Sequence, residues 1–215
     1  MTGSERITLV IDGREVHATR GERLLWVALD AGIEIPNLCA RRDREPPFGA
    51  CRLCFVEIEG KRRPVTSCTV GVSDGMVVQT RTPAVDRLVA GSFELLMSHH
   101  NLECRHCAAN KRCGLQKIAI GRKLKLKPRR IPRLEQDVTV DESHPKLRLD
   151  RSKCILCGQC IWVCQQTGAG VLDFAHRGLA TTVTTYGDRP LADTDCDGCQ
   201  ACAEACPTGA LTTRA

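Results

Sequence analysis

Cys154-Ile-Leu-Cys157-Gly-Gln-Cys160-Ile-Trp-Val-Cys164 and Cys196-Asp-Gly-Cys199-Gln-Ala-Cys202-Ala-Glu-Ala-Cys206-Pro207 are one pattern written twice. Each run places three cysteines at two-residue gaps and a fourth after three more residues, with a proline behind the second run. Thiolates at that spacing suit a cubane 4Fe–4S cluster: three close sulfurs turn inward on one cluster, and the fourth, on the following helix, faces its neighbour. The expected ligand sets are therefore crossed. Cys154, Cys157, Cys160 and Cys206 would hold one cluster, and Cys196, Cys199, Cys202 and Cys164 the other.

The two competing uses of cysteine fit less well. Structural disulfides belong to oxidising compartments, no secretory signal opens the sequence, and fifteen cysteines cannot all pair. Zinc takes four ligands per ion, commonly as two separated C-x2-C knuckles, whereas here each knuckle gains further cysteines at cluster spacing. The double run resembles the two-cluster ferredoxins of bacteria, so residues 150–215 are expected to form such a domain.

The whole chain has 215 residues and only seven aromatics (two Trp, one Tyr, four Phe) against its fifteen cysteines. A chain so poor in large apolar side chains is expected to organise small modules around inorganic centres, whose insertion contributes folding free energy. The longest apolar run is Leu24 to Leu29, too short to span a bilayer. No transmembrane segment is expected, and the cytoplasm is the expected compartment. The formal charge of +6 is concentrated between residues 81 and 133. Four oxidised clusters with deprotonated ligands would add about −7 and leave the loaded chain near −1.

The first eighty residues read as a second kind of module. Ile7–Val10 and Glu15–Ala18 are β-rich runs around Asp12-Gly13, a hairpin signal. Leu24, Leu25, Ala28 and Leu29 recur at helical spacing within Glu22–Ala31, and Gly32 is a helix stop. Cys39, Cys51-x2-Cys54, a strand over Phe55–Glu59, Cys68 and a closing strand over Met76–Thr80 follow. This order resembles the β-grasp fold of plant-type ferredoxins, although eleven residues rather than four separate the first two cysteines. A 2Fe–2S cluster on Cys39, Cys51, Cys54 and Cys68 is expected, with one zinc ion on the same four residues as the alternative. Gly49 and Ala50 are small enough for backbone amides to approach the sulfurs.

Residues 81–120 carry a third motif. Thr82-Pro83 reads as an N-cap and first helical position, followed by an apolar stripe of Val85, Leu88, Val89, Phe93, Leu96 and Met97 to about Ser98. His99-His100-Asn-Leu-Glu-Cys104-x2-Cys107-x5-Cys113 comes next. Three cysteines and one histidine complete a third 4Fe–4S set, with His99 or His100 as the fourth ligand and His106 facing solvent; zinc is again the alternative. A neutral imidazole in place of a thiolate makes a cluster less negative and raises its potential.

Residues 121–149 read as a basic connector. Gly121–Arg133 holds seven Lys and Arg and no acid, with Lys123-Leu-Lys-Leu-Lys as a possible edge strand. No aromatics interleave it, so a nucleic-acid partner is not expected and an acidic protein face suits it better. Asp137–Leu149 leads into the last module, and Gly168–Gly187 reads as strands and turns between its two cysteine runs.

An α+β chain in this order resembles the N-terminal portion of the large iron–sulfur subunit of respiratory complex I. The same order occurs in NAD-reducing nickel–iron hydrogenases, iron-only hydrogenases and some NAD-dependent formate dehydrogenases. With the sequence ending at Ala215, it is most similar to the small diaphorase subunit of bidirectional hydrogenases. The resemblance implies that His100, three residues before Cys104, is the ligand. It also implies a flavin- and NAD-binding diaphorase partner near the 2Fe–2S or histidine-ligated end and hydrogenase subunits near the paired cubanes. An equivalent subunit of a formate dehydrogenase, a bifurcating reductase or a complex I-like enzyme is chemically the same. A structural zinc protein bridging macromolecules is the distant alternative. The chain has no dinucleotide-binding glycine fingerprint and no evident catalytic site, and its fifteen cysteines are all assigned as ligands.

Overall fold

The computed structural model describes residues 5–134, 138–167 and 169–214, which form two compact units dividing between Phe93 and Glu94. Asp137 and Gly168, which begin two of the stretches read above, lie outside the described residues. Among the described residues no helix is long and apolar enough to cross a membrane.

In the first unit, β1 (Arg6–Ile11) and β2 (Arg14–Thr19) form an antiparallel hairpin, with Ile11 opposite Arg14. Asp12 (φ 50°) and Gly13 (φ 78°) both take the left-handed conformation that a two-residue hairpin turn matched to strand twist requires. Ile7, Leu9 and Ile11 alternate inward from β1 and meet Leu24, Leu25, Val27 and Ala28 of α1 (Leu24–Asp30) in one core. The helix stops at Gly32 (φ 73°), whose N–H bonds the Leu29 carbonyl at 3.0 Å.

Three further strands, β3 (Phe55–Ile58), β4 (Val65–Thr66) and β5 (Val77–Gln79), complete a sheet of order β2-β1-β5-β3-β4. Among these strands only the β1–β5 pair is parallel. This is the β-grasp arrangement, and Cys54 and Cys68 belong to its core. Past β5, the Asp12 carboxylate accepts the Thr80 N–H (2.7 Å) and hydroxyl (2.6 Å), tying the unit's last strand to its first turn.

The helix α2 (Pro83–His99) starts as its sequence indicates, with the Thr82 hydroxyl accepting the Val85 N–H at 3.1 Å. Val85, Val89, Phe93 and Met97 are buried at four-residue steps, whereas Leu88 falls off that line and is exposed.

In the second unit, α3 (Gly114–Arg122) buries Leu115, Ile118 and Ala119 and ends at Lys123 in the left-handed conformation (φ 53°). That turn overturns the edge strand considered for Lys123–Lys127. The Lys–Leu alternation survives as exposure, with the three lysines outward, but among the described residues no strand pairs with it. Glu94 anchors the basic stretch, accepting the N–H groups of Arg129 (2.7 Å) and Arg130 (2.6 Å) and the Arg130 Nε (2.7 Å).

A three-stranded antiparallel sheet follows, ordered β10-β7-β6, from β6 (Val140–Asp141), β7 (Leu147–Asp150) and β10 (Leu211–Thr213). Residues 140–150 are thus built into the same sheet as the end of the chain. Between β7 and β10 lie α4 (Gln159–Gln166), the hairpin β8 (Leu172–Ala175) and β9 (Thr182–Thr185), and α5 (Ala201–Ala205). Leu147, Leu149, Ile161, Leu172, Val183 and Leu211 pack with Cys160, Cys164 and Cys202.

Replacing Asp12 by alanine should destabilise the first unit by about 1–3 kcal/mol, because two charge-assisted bonds are lost together. Asp12→Asn, which keeps an acceptor and tolerates positive φ, should cost less. Chemical denaturation of the two variants checks this; an alanine variant as stable as the unaltered protein would show that the Thr80 bonds contribute nothing.

Candidate iron–sulfur sites

Each repeat of the cysteine run bends in the same way. Two and four residues after the first cysteine the backbone is left-handed, at Leu156 (φ 53°) and Gly158 (φ 77°) in the first run and at Gly198 (φ 69°) and Gln200 (φ 65°) in the second. Leu156 and Gln200 adopt this conformation against the penalty a side chain incurs there. The turn aims the three sulfurs of each run at one side and starts α4 and α5, which carry Cys164 and lead to Cys206.

The result is two sulfur-lined cavities. One is bounded by Cys154, Cys157, Cys160 and Cys206 with Leu149, Ile155, Val183 and Leu211. The other is bounded by Cys164, Cys196, Cys199 and Cys202 with Leu147, Leu172 and Leu191. The chain therefore groups its sulfurs in the crossed sets that the spacing suggests. Burial pushes the thiols up, Cys154 to about 11 and Cys202 to about 12, so these apolar walls oppose a bare thiolate. Leu156 N–H and Leu211 N–H point at the Cys154 and Cys206 sulfurs, each at 3.4 Å.

In the first unit the four cysteines are buried and arranged as two pairs. Cys39 and Cys51 lie 3.4 Å apart, sulfur to sulfur. Cys54 hydrogen-bonds Cys68, and that contact lowers its pKa. Within each pair one thiol is pulled down and the other pushed up, Cys51 falling to about 6 mainly through its bond to Cys39. The amides of Ala50 and Cys51 face the Cys39 sulfur, and Gly49 (φ 61°) makes the bend that presents them.

Among Cys104, Cys107, Cys113 and the two histidines, the protein separates His100 from His99 by environment. His100 is 6% exposed, and burial lowers its pKa to about 4, so its ring is neutral as a metal ligand must be. Its Nδ1 lies 3.1 Å from the Lys153 carbonyl, an acceptor only. The proton therefore sits on Nδ1 and the Nε2 lone pair is left for a metal. His106 is exposed. Cys113 is buried and precedes α3, while the Cys107 sulfur lies against Gly209, where any β-carbon would overlap it.

These arrangements fit clusters better than single ions. Tetrahedral zinc with Zn–S near 2.3 Å needs sulfurs about 3.8 Å apart, all four together. In the second unit four cysteines instead line the walls of each cavity, around a space wider than one ion. A buried hydroxyl points the same way. Ser67 Oγ is enclosed beside Cys68 and has no hydrogen-bond partner.

Three family models match successive segments: a 2Fe-2S iron-sulfur cluster binding domain over residues 4–83, the NADH-ubiquinone oxidoreductase-G iron-sulfur binding region over 90–124, and a 4Fe-4S dicluster domain over 153–210. The chain is built of successive iron–sulfur domains. Its structure is similar to a chain in the crystal structure of NAD+-reducing [NiFe]-hydrogenase in the H2-reduced state. The TM-score is 0.87 and the identity 29%, over 97% of this chain and 88% of that one. It is 34% identical to the NADPH-Fe(3+) oxidoreductase subunit alpha of Geobacter sulfurreducens, over 95% of this chain and 24% of that protein. A chain of the NADH-quinone oxidoreductase of Streptomyces coelicolor is also 34% identical, over 97% of this chain and 25% of its own length. The NADP-reducing hydrogenase subunit HndD of Solidesulfovibrio fructosivorans is 32% identical, over 95% and 36%. The chain thus spans about a quarter to a third of these curated relatives.

Several residues of the iron–sulfur sites carry no signal in the sequence. Lys153, Thr208 and Gly209 belong to this class, since their partners lie 53 or more residues away or are visible only as a steric limit. Ser67 is another. A methyl group at Gly209 would strike Cys107, so Gly209→Ala should impair metal loading at the Cys104–Cys107–Cys113 site while sparing the first unit. Iron content with spectra of the separate centres checks this. Unchanged loading would show that the Cys107 loop yields easily.

Proposed function

We propose that the chain relays single electrons through one 2Fe–2S and three 4Fe–4S clusters, between a flavin- and NAD(H)-binding partner and a hydrogenase module, in the cytoplasm. Cys39, Cys51, Cys54 and Cys68 would hold the 2Fe–2S cluster. His100, Cys104, Cys107 and Cys113 would hold the first cubane. Cys154, Cys157, Cys160 and Cys206 would hold the second, and Cys164, Cys196, Cys199 and Cys202 the third. When bound, these clusters supply one-electron carriers, which suits a chain placed between hydride chemistry at a flavin and a second redox catalyst.

The observation that carries this reading is the grouping of sulfurs into two crossed four-cysteine cavities, two close thiol pairs and one neutral histidine with its proton fixed. The chain's own residues do the rest. Apolar walls exclude water, backbone amides aimed at sulfurs offset their charge, and the Lys153 carbonyl keeps the His100 proton on Nδ1. The near full-length likeness to a chain of a NAD+-reducing hydrogenase favours that kind of complex. Identity of 34% to chains of an Fe(3+) reductase and a quinone reductase supports the same wiring with a different terminal catalyst.

Anaerobically purified protein should be brown, contain about 14 irons and 14 acid-labile sulfides per chain, and accept electrons from dithionite. A colourless, zinc-rich, redox-silent product would end this reading. Co-purification of the native complex should bring down a flavoprotein and a terminal redox subunit. Replacing His100 by cysteine should make one cubane more negative in potential, because an anionic ligand replaces a neutral one; an EPR-monitored redox titration reads the shift.

A further inference from the structure

The Lys153 carbonyl accepts two hydrogen bonds: His100 Nδ1 at 3.1 Å and the Thr208 hydroxyl at 2.9 Å. Both donors and the carbonyl's residue are buried. Lys153 directly precedes Cys154, and Thr208 sits two residues after Cys206, its hydroxyl 3.7 Å from the Cys206 sulfur. The neighbouring residues of that segment also touch the histidine-bearing site. The Pro207 carbonyl accepts the Gly114 N–H at 2.8 Å, just after Cys113, and Gly209 abuts the Cys107 sulfur. Residues 206–209 are therefore a wedge with a proposed ligand of one cubane at its head and contacts to the other along its length.

A carbonyl oxygen has two lone pairs, and here two donors share them. We propose that Thr208 is a positioning residue for the histidine-ligated cluster, holding the Lys153 carbonyl in the direction that orients His100 and limiting how strongly that carbonyl polarises the ring. An acceptor engaged by one donor polarises a second donor less. Removing the Thr208 hydroxyl leaves the whole carbonyl to His100 Nδ1–H. The ring becomes more basic at Nε2, donates more charge to the iron, and favours the oxidised cluster. Groups that hydrogen-bond the other ring nitrogen of ligating histidines act in this way on other metals.

The inference rests on the ligand sets proposed above, and the experiment separates the two. The native complex is isolated anaerobically with Thr208→Val, Thr208→Ala and Thr208→Ser. Each is titrated by EPR, and the nitrogen hyperfine coupling of the histidine-ligated cluster is recorded. Valine should shift that cluster's equilibrium about tenfold toward the oxidised form, 59 mV for one electron, and change the nitrogen coupling. Serine should restore both to within about twofold. Absence of any nitrogen coupling in the unaltered protein would sink the ligand assignment. Coupling that is present but unmoved by valine, or moved equally by serine, would sink the role of Thr208. If valine and alanine both fail to load clusters while serine loads normally, Thr208 is a structural residue and the proposal fails.

Discussion

Four sulfurs facing one apolar cavity form a site that protein atoms alone leave poorly satisfied. The Cys154, Cys160 and Cys202 thiols are all pushed upward by burial, with neighbouring cysteines adding to the effect. As neutral thiols they are weak hydrogen-bonders; as thiolates they would repel one another in a low dielectric. Iron resolves the conflict by replacing the protons with positive charge, so loading and folding draw on the same free energy. The apolar residues around these cavities, Leu147, Leu149, Leu172, Val183 and Leu211, are much of the second unit's core. With few aromatics available, the sulfur sites lie where a larger hydrophobic core would otherwise be.

The backbone supplies what side chains cannot. A sulfur must approach iron while neighbouring N–H groups face the sulfur, and a continuous helix or strand gives no such geometry. Left-handed residues at repeated positions, Leu156 and Gly158 matched by Gly198 and Gln200, give it twice. Gly49 and Arg52 bracket Cys51 in the first unit with the same sign of φ. That a leucine, a glutamine and an arginine accept this conformation shows how strongly the ligand turn is determined by its surroundings.

The grouping of the sulfurs was legible because it is set locally. Three of the four sulfurs around each cavity lie within seven residues, and the hairpin at Asp12-Gly13, the stop at Gly32 and the cap at Thr82 are equally local. Lys123–Lys127 misled for the complementary reason. Alternating lysine and leucine describes any extended segment with one side outward, and only a neighbouring edge makes it a strand. Lys123 turns the chain away instead. Residue chemistry left the choice between His99 and His100 open, and only the resemblance pointed to His100. The physical difference is a carbonyl 53 residues away.

That carbonyl is held by a buried ion pair. Lys153 Nζ lies 2.7 Å from Asp150 Oδ2, both side chains about 5% exposed, and Asp150 also accepts the Ser152 hydroxyl at 2.6 Å and Arg148 Nη1 at 3.3 Å. Burying such a pair costs several kcal/mol of desolvation per ion, so net stability is a poor reason for it. Geometry is a better one. The pair closes the turn from β7 into Cys154 and so fixes where the Lys153 carbonyl points. Because Asp150 balances the Lys153 charge, the pair acts on His100 through this geometry more than through net charge. The same four residues thus fix the direction of the carbonyl that faces the His100 ring.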